Sequence, residues 1–439
     1  MKTATNAQYH LKQRNEIVEK IKHNLIDVLN LNFTPEQIHS DEILFGAGLN
    51  LDSIDSLQLV VSIKSSFDVE IKASDMWALR SVNTLADFIM KEKGMMDLAI
   101  TNRFDNFYTH EKSLIGYDEI RNHMILYKNT EMCLLKLENE MQMMALNNIL
   151  TKEIDFSPEG AVIPSLLLNA NGEFQSYLYF LNNFDHYYLL FPQSDKTKVI
   201  DTLEVNEISF IDLTKEVSML SLEGYESANV IAKLYGDFVA KMKLFSFSLE
   251  SFNQKQQLVI RLDTNGETGF MLITLENDDK DLINTIVDSG VNFDKKPQQI
   301  STETEQLLWL ESCRFHPNTC FLKNETIIAA GLSSLLSFDK ETFLGKAAVE
   351  TMSANQQLVH FQSDALIKQG ELISGENHDI GYVIVSQYSP LLKKYVGNAY
   401  VAHEYANSGA NLKTKESQIA LSLVTAPQIL GHSYLGAEK

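Results

Sequence analysis

Between Leu49 and Phe67 the chain reads LNLDSIDSLQLVVSIKSSF, with two serines and two aspartates crowded ahead of an apolar run. Ile54, Leu57, Val60, Val61 and Lys64 fall in helical rather than strand register, so a helix is predicted here. Asp52 occupies the N-cap position, which makes Ser53 the first helical residue and sets its hydroxyl at the positive end of the helix dipole. Ser56 lies one turn further in and lacks that placement. Upstream, Ile17, Val18, Ile21, Leu25 and Val28 form one apolar stripe of an earlier helix. That helix is broken by NFTPEQI and followed by a loop containing Gly46 and Gly48. Downstream, a short helical turn around Met76 and Trp77 precedes a last helix in NTLADFIMKEK, with Asn83 or Thr84 as its cap. Residues 14–93 therefore predict a self-contained four-helix bundle.

The whole chain has 439 residues, too many for one compact core, so two to four domains are expected. Fifty-eight acidic against 37 basic side chains give a formal charge of −21, which repels phosphate backbones and argues against a nucleic-acid partner. Cys133, Cys313 and Cys320 are too few and too scattered for a disulfide framework, which fits a reducing compartment. Apolar runs such as MCLLKL fall far short of the roughly 20 residues that span a bilayer, and the N-terminus has no signal-peptide core. A cytoplasmic protein with no membrane partner is expected.

From about residue 105 the texture changes. Strand-like alternation appears in EMCLLKL, SYLYFL, HYYLLF, QLVIRL and GFMLITL, interleaved with helical runs such as YESANVIAKLYGDFVAKM. Past residue 355 short strands separated by Gly, Asn and Ser, including IGYVIVSQYSP and VGNAYVAHEY, predict an all-β terminal domain. The expected organisation is an all-α four-helix bundle over 14–93, a linker over 94–106, an α+β region over 107–350 and a β-barrel domain over 355–430.

Asp-Ser-Ile alone is an ordinary helix start, because Ser and Asp gather at such positions. In its setting, with a preceding helix, a Gly-containing loop and a hydrophobic helix ending at Phe67 and VEI, the N-terminal segment resembles an acyl or peptidyl carrier protein. The serine of the Asp-Ser-Leu motif in that family carries 4'-phosphopantetheine. The matching residue is Ser53, preceded by Asp52 and followed by Ile54 in place of Leu. The resemblance implies two partners, a phosphopantetheinyl transferase and an enzyme that loads an acyl group or amino acid. This helix offers Asp55, Gln58, Lys64 and Asp68 rather than an acidic row, which suits a client domain tethered in the same chain, where effective concentration is already high.

The region from 105 to 430 resembles the aminomethyltransferase of the glycine cleavage system, the T-protein, and its folate-binding relatives. GYDEIRNHMILYKNTEMCLLKLENE, SLLLNANGEF, RLDTNGETGF, LLWLES, FDKETFLGKAAV and GYVIVSQYSPLLKKYVGNAYVAHEYANSG carry the likeness in order. RLDTNGETGF matches the family's Arg-Thr-Gly-Tyr-Thr-Gly-Glu-x-Gly-Phe pattern through Arg261, Gly266, Glu267, Gly269 and Phe270. The resemblance implies tetrahydrofolate as cofactor, with Glu311 hydrogen-bonding the pterin and Arg261 and Glu267 also in the binding block. A carboxylate suits an N–H/NH₂ edge, which it can accept in bidentate fashion. The family's catalytic aspartate is replaced by Ser176 and Tyr177, which take that place as candidate catalytic groups. The two tyrosines near the folate become Thr264 and Pro164. The Lys-Gly-Cys-x-x-Gly block of a related iron–sulfur assembly factor is absent, since Lys340 to Gly345 contain no cysteine.

SCRFHPNTC, just after Glu311, has no counterpart in the family pattern. Cys313 and His316 have the spacing of a ligand or nucleophile–base pair, with Cys320 near. Three soft residues without a fourth ligand read as packing and loop residues, and no metal is expected. Arg314 suits a folate carboxylate or a pantetheine phosphate. The expectation is a carrier-tethered, tetrahydrofolate-dependent one-carbon transferase acting on an acyl or aminoacyl thioester in specialised metabolite assembly. The alternatives are a non-catalytic scaffold and a folate-independent enzyme that receives the loaded arm.

Overall fold

The computed structural model describes residues 2–31, 33–45, 49, 51, 53–95, 109, 111–289, 300–322, 325–375 and 378–431, the side chains of 2–9 and 53 excepted. Gly46, Gly48, Asp52 and most of the expected linker lie outside the described residues. The chain forms two compact units, one of Met1–Asn102, Leu310–Ser334 and Met352–Ile429, the other of Arg103–Trp309, Leu335–Thr351 and Leu430–Lys439.

In the first unit the bundle consists of α1 (Lys2–Leu29), α2 (Ser53–Phe67) and α3 (Val82–Glu92), with a 3₁₀ segment over Ala73–Arg80. Its core buries Ile17, Ile21 and Leu25 from α1 against Leu59, Ile63, Leu85 and Ile89. Val28 is 39% exposed and drops out of the predicted stripe. The turn around Met76 and Trp77 is 3₁₀ rather than α-helical. The last helix is capped by Ser81 instead of Asn83 or Thr84: Ser81 Oγ accepts the Thr84 N–H at 3.1 Å while Thr84 Oγ1 accepts the Ser81 N–H at 2.8 Å. This reciprocal pair satisfies two amides that the helix start would otherwise orphan.

The second unit holds α4 (Tyr117–Asn122), β1 (Ile125–Lys128), β2 (Met132–Leu137), α5 (Glu140–Asn147), β3 (Val162–Leu168), β4 (Phe174–Asn183), β5 (His186–Pro192) and α6 (Lys196–Val205). It continues through β6 (Ile211–Asp212), β7 (Ser218–Glu223), α7 (Ser227–Tyr235), α8 (Asp237–Ala240), β8 (Ser246–Phe252), β9 (Lys255–Arg261), β10 (Gly269–Thr274) and α9 (Lys280–Asp288). Two five-stranded sheets result, ordered β3-β4-β5-β2-β6 and β1-β7-β10-β9-β8, every pairing antiparallel. Strand alternation sorts the side chains into layers. Leu135 and Leu137 pack towards α5 and α6, whereas Leu134 on the same strand joins Leu258, Ile260 and Met271 of the other sheet. Leu220, Leu222 and Leu272 pack towards α7 and α9. The region is thus a helix–sheet–sheet–helix sandwich. The helical run YESANVIAKLYGDFVAKM divides at Gly236, whose φ of +93° ends α7 and starts α8.

The chain then passes through α10 (Thr302–Ser312) and the short α11 (Pro317–Cys320). In the first unit follow β11 (Gln356–Ser363), β12 (Leu372–Ser374), β13 (Asp379–Ser389), β14 (Lys394–Ala402), β15 (Asn411–Thr414) and β16 (Ala420–Val424). They close into a barrel ordered β11-β14-β13-β12-β15-β16, which leaves no unpaired edge.

The bundle is fastened to this barrel rather than merely joined to it in sequence. Buried Arg14 donates to Asp87 at 2.8 Å and to Asn83 Oδ1 at 2.9 Å, and the other Asp87 oxygen accepts from Thr425 at 2.7 Å. Asp41 accepts the Ala426 amide at 3.0 Å, Glu42 the Ser334 amide at 3.0 Å, and His39 Nε2 donates to the Leu358 carbonyl at 2.8 Å. Leu11 packs against the barrel core. Gly331 admits this approach because a Cβ there would stand 2.8 Å from the His39 ring. No helix among the described residues is long and apolar enough to cross a membrane.

Candidate functional site

Ser53 is the first residue of α2, as the sequence predicts; its side chain, like Asp52, lies outside the described residues. The helix beyond it presents an apolar stripe to solvent, with Ile54 64%, Leu57 67% and Val61 68% exposed. A 15-residue helix with Asp55 in its first turn offers its N-terminal amides to negative charge, so a phosphodiester at Ser53 fits this position.

Ser176 and Tyr177 are neighbours on β4 and therefore face opposite ways. Ser176 is fully buried and pairs across the strand with Leu167 on the helix-covered face, where its hydroxyl donates to Asp195 Oδ2 at 3.0 Å. Burial pushes the Asp195 carboxyl up, and the Ser176 bond opposes that shift. Tyr177 lies on the other face, edge-on to Tyr179 at 5.3 Å. The two residues cannot serve one reacting atom together.

The RLDTNGETGF block forms the end of β9 and the turn into β10. Arg261 is clamped on Asp263 by bonds of 2.6 and 3.2 Å and stacks over Phe270 at 5.0 Å. Glu267 is buried and accepts from Arg121 at 3.2 Å, both side chains at most 1% exposed. The turn also closes on Glu223 at the end of β7. That buried carboxylate accepts from Tyr127 at 2.8 Å and Thr264 at 3.0 Å, and from the Asn265 amide. Burial pushes the Glu223 carboxyl up, and these donors oppose the shift. Glu305 on α10 is pushed up to about 7 by burial and by the charges of Glu223 and Glu131. The like charge of Glu223 is thus one of the causes that raise Glu305 towards neutrality.

Sequence reasoning missed this pair. One signal was available: Glu223 closes SMLSLE, a strand buried at every position, where a carboxylate needs a reason. Because Glu305 holds its proton far more tightly folded than at its ordinary value of 4.5, folding stability falls as pH rises from about 4.5 to about 7. Glu305→Gln is expected to stabilise the protein by about 2 kcal/mol at pH 8, allowing for partial solvation, and to change little at pH 4.5. Thermal unfolding of both proteins at the two pH values checks this, and equal gains at both would refute it.

Glu311, near the end of α10, is fully buried and accepts from Ser389 Oγ at 2.6 Å, tying the helix end to the Tyr-Ser-Pro segment of β13. The His316 ring caps α11, its Nδ1 accepting the Asn318 amide at 3.2 Å. Burial lowers His316 to about 4. No group of His, Cys, Asp or Glu able to hold a metal occurs among the described residues.

In chain order a helical bundle precedes a two-sheet sandwich and a closed six-stranded barrel, the architecture of a multidomain protein. The chain belongs to the glycine cleavage T-protein family, whose GCVT N-terminal domain model matches residues 91–340 and whose C-terminal barrel domain model matches 356–427. The phosphopantetheine attachment site model matches residues 19–89. The aminomethyltransferase of Caldanaerobacter subterraneus subsp. tengcongensis is 23% identical over 319 residues, covering 69% of this chain and 83% of that protein. The aminomethyltransferase of Thermoanaerobacter sp. strain X514 is 24% identical over 322 residues, covering 69% and 85%. The crystal structure of the glycine cleavage system aminomethyltransferase T from Bartonella henselae superposes with a TM-score of 0.63 at 19% identity, covering 79% of this chain and 97% of that one. The protein therefore joins a carrier domain to an aminomethyltransferase-like domain in one chain.

Proposed function

We propose that this protein carries 4'-phosphopantetheine on Ser53 and presents the acyl or aminoacyl thioester on that arm to its own T-protein region, where a one-carbon unit is exchanged with tetrahydrofolate. The observation that carries the reading is the union of a phosphopantetheine-attachment domain and an aminomethyltransferase-like domain in one polypeptide, with α2 starting at Ser53. A tether of this kind holds its cargo at an effective concentration on the order of millimolar, so the T-protein region needs little intrinsic affinity for it. A phosphopantetheinyl transferase installs the arm and a separate enzyme loads it, in the cytoplasm and in the service of specialised metabolite assembly.

When bound, tetrahydrofolate supplies a carrier for the one-carbon unit. The residues of this chain supply proton handling. Ser176 is turned away from Tyr177, so the two do not share the place of the missing aspartate, and Glu305, pushed up to about 7, is the group proposed to take and return the proton. A well-placed acid–base group of this kind is worth about 10²- to 10⁴-fold in rate.

A second reading has its own support. Arg261, Glu267 and Glu311 are each engaged by partners within the protein, and Ser176, Thr264 and Pro164 stand where the family has its aspartate and aromatic contacts. These favour a T-protein region that handles the loaded arm without folate. Titration calorimetry with tetrahydrofolate separates the two: a saturable isotherm is expected, and no heat of binding up to millimolar ligand would leave the folate-independent reading.

A further inference from the structure

Over most of its length α3 has no solvent face. Val82 through Met90 are buried without a break, although Asn83, Thr84 and Asp87 are polar and a helix on the outside of a bundle keeps such residues in water. On the Asp87 side the cover is the barrel. Asp87 Oδ2 accepts the Thr425 hydroxyl at 2.7 Å just past the end of β16, and Thr425 Oγ1 lies 3.1 Å from Ser408 Oγ in turn. Behind Asp87, Arg14 of α1 closes the network with bonds of 2.9 and 2.8 Å to Asp87 Oδ1 and one of 2.9 Å to Asn83 Oδ1.

The attachment draws on separate elements of both partners. From the bundle come Asp87 on α3, Asp41 and Glu42 in the connection between α1 and α2, and Leu11 on α1. They meet Thr425 and Ala426 beyond β16, Ser334 ahead of the barrel, and the barrel core. All three hydrogen bonds end on a carboxylate, which makes them members of the stronger, charge-assisted class. His39 adds a fourth bond, to the Leu358 carbonyl on β11 at 2.8 Å. A single point would act as a pivot; attachment through several elements resists rotation about any one of them. On α2 the situation is the reverse. Ile54, Leu57 and Val61 stay exposed, as does Met76 in the 3₁₀ segment.

We propose that the bundle stays locked on the barrel while it carries and delivers cargo. Ser53 then keeps one place relative to the barrel, the arm on it is the part that travels, and enzymes acting in trans meet the bundle at α2 because the α3 side is taken. A fixed origin makes the arm the whole tether, and a shorter tether that still spans its sites gives a higher effective concentration. This consequence for delivery rests on the carrier reading above; the lock itself does not.

The test uses the full chain in a Cys313→Ser background, Cys133 and Cys320 being buried. Nitroxides on Glu92→Cys in the bundle and Lys413→Cys in the barrel, both exposed positions, are read by double electron–electron resonance. One narrow distance is expected, the same before the arm is added, after it is added and after it is acylated. Two substitutions outside the bundle open the lock. Thr425→Val removes the bond to Asp87, and Gly331→Leu drives a side chain into the His39 ring, where a Cβ alone would stand 2.8 Å away. Together they are expected to spread the distance into a broad distribution with circular dichroism unchanged, which separates unlocking from unfolding; Thr425→Val alone is expected to broaden it less. Transfer of a one-carbon unit to cargo on the arm is expected to slow about tenfold in the combined variant, while a soluble S-acyl-N-acetylcysteamine thioester reacts at the wild-type rate. A broad or two-peaked distance in wild type, a distance that changes when the arm is loaded, or a folded combined variant as narrow as wild type would overturn the proposal. A narrow distance with no transfer from the arm in wild type would support the lock and count against the proposed function.

Discussion

Ser53→Ala is expected to abolish phosphopantetheine uptake completely, while Ser56→Ala retains it. Ser53 opens α2, whose amino-terminal end favours the negative phosphodiester; Ser56 is a turn further along, past the unpaired amides. The measurement is intact mass after incubation with a phosphopantetheinyl transferase and coenzyme A. A mass gain that survives in Ser53→Ala would place the arm elsewhere, and no gain in wild type would remove the carrier reading. The exposed Ile54, Leu57 and Val61 follow directly on the same helix, so the transferase meets an apolar face rather than an acidic one. High salt is accordingly expected to slow the modification little.

Arg121→Ala is expected to cost about 3–5 kcal/mol, the largest stability effect in the α+β unit. The guanidinium is enclosed with Glu267 at 3.2 Å and lies over the Tyr117 ring at 5.8 Å, so removing it takes the countercharge from a carboxylate held away from water. Chemical denaturation checks the size. The double variant Arg121→Met with Glu267→Leu is expected to recover most of the loss, because replacing both charges removes the buried carboxylate along with its countercharge. If the single and double variants were equally destabilised, the pair would not be the cause. This outcome bears on function as well, since Glu267 belongs to the block that resembles the family's folate contacts. Its engagement with Arg121 gives it a structural task whether or not folate binds.

The parts of the fold that depend on local pattern were legible in the sequence. Alternation in EMCLLKL and HYYLLF marks β2 and β5, and the Gly- and Asn-punctuated C-terminal segments close into the barrel. Ser53 at the start of α2 was legible for the same reason, since capping is a matter of adjacent residues. What depends on distant residues was not. Arg14 meets Asp87, and Asp87 meets Thr425 across 338 positions, so the fastening of bundle to barrel leaves no local trace. Cys313 invites pairing with His316 by spacing, yet His316 caps α11 and the Cys313 thiol donates to the Leu310 carbonyl at 3.6 Å. Ser176 and Tyr177 look interchangeable as neighbours, and β-strand geometry separates them onto different faces. Glu223 needed three donors from two other segments before its burial made sense.

In the proposed function the T-protein region acts on cargo carried by the chain's own arm. The direct test loads the arm with a panel of aminoacyl and acyl thioesters, adds tetrahydrofolate bearing an isotopically labelled one-carbon unit, and reads the mass of the Ser53 peptide with its arm. Label is expected on the arm for at least one cargo, and at a rate lower by about 10²-fold or more in Glu305→Gln. An arm that stays unlabelled with every cargo, in a protein that binds tetrahydrofolate and carries the loaded arm, would contradict it.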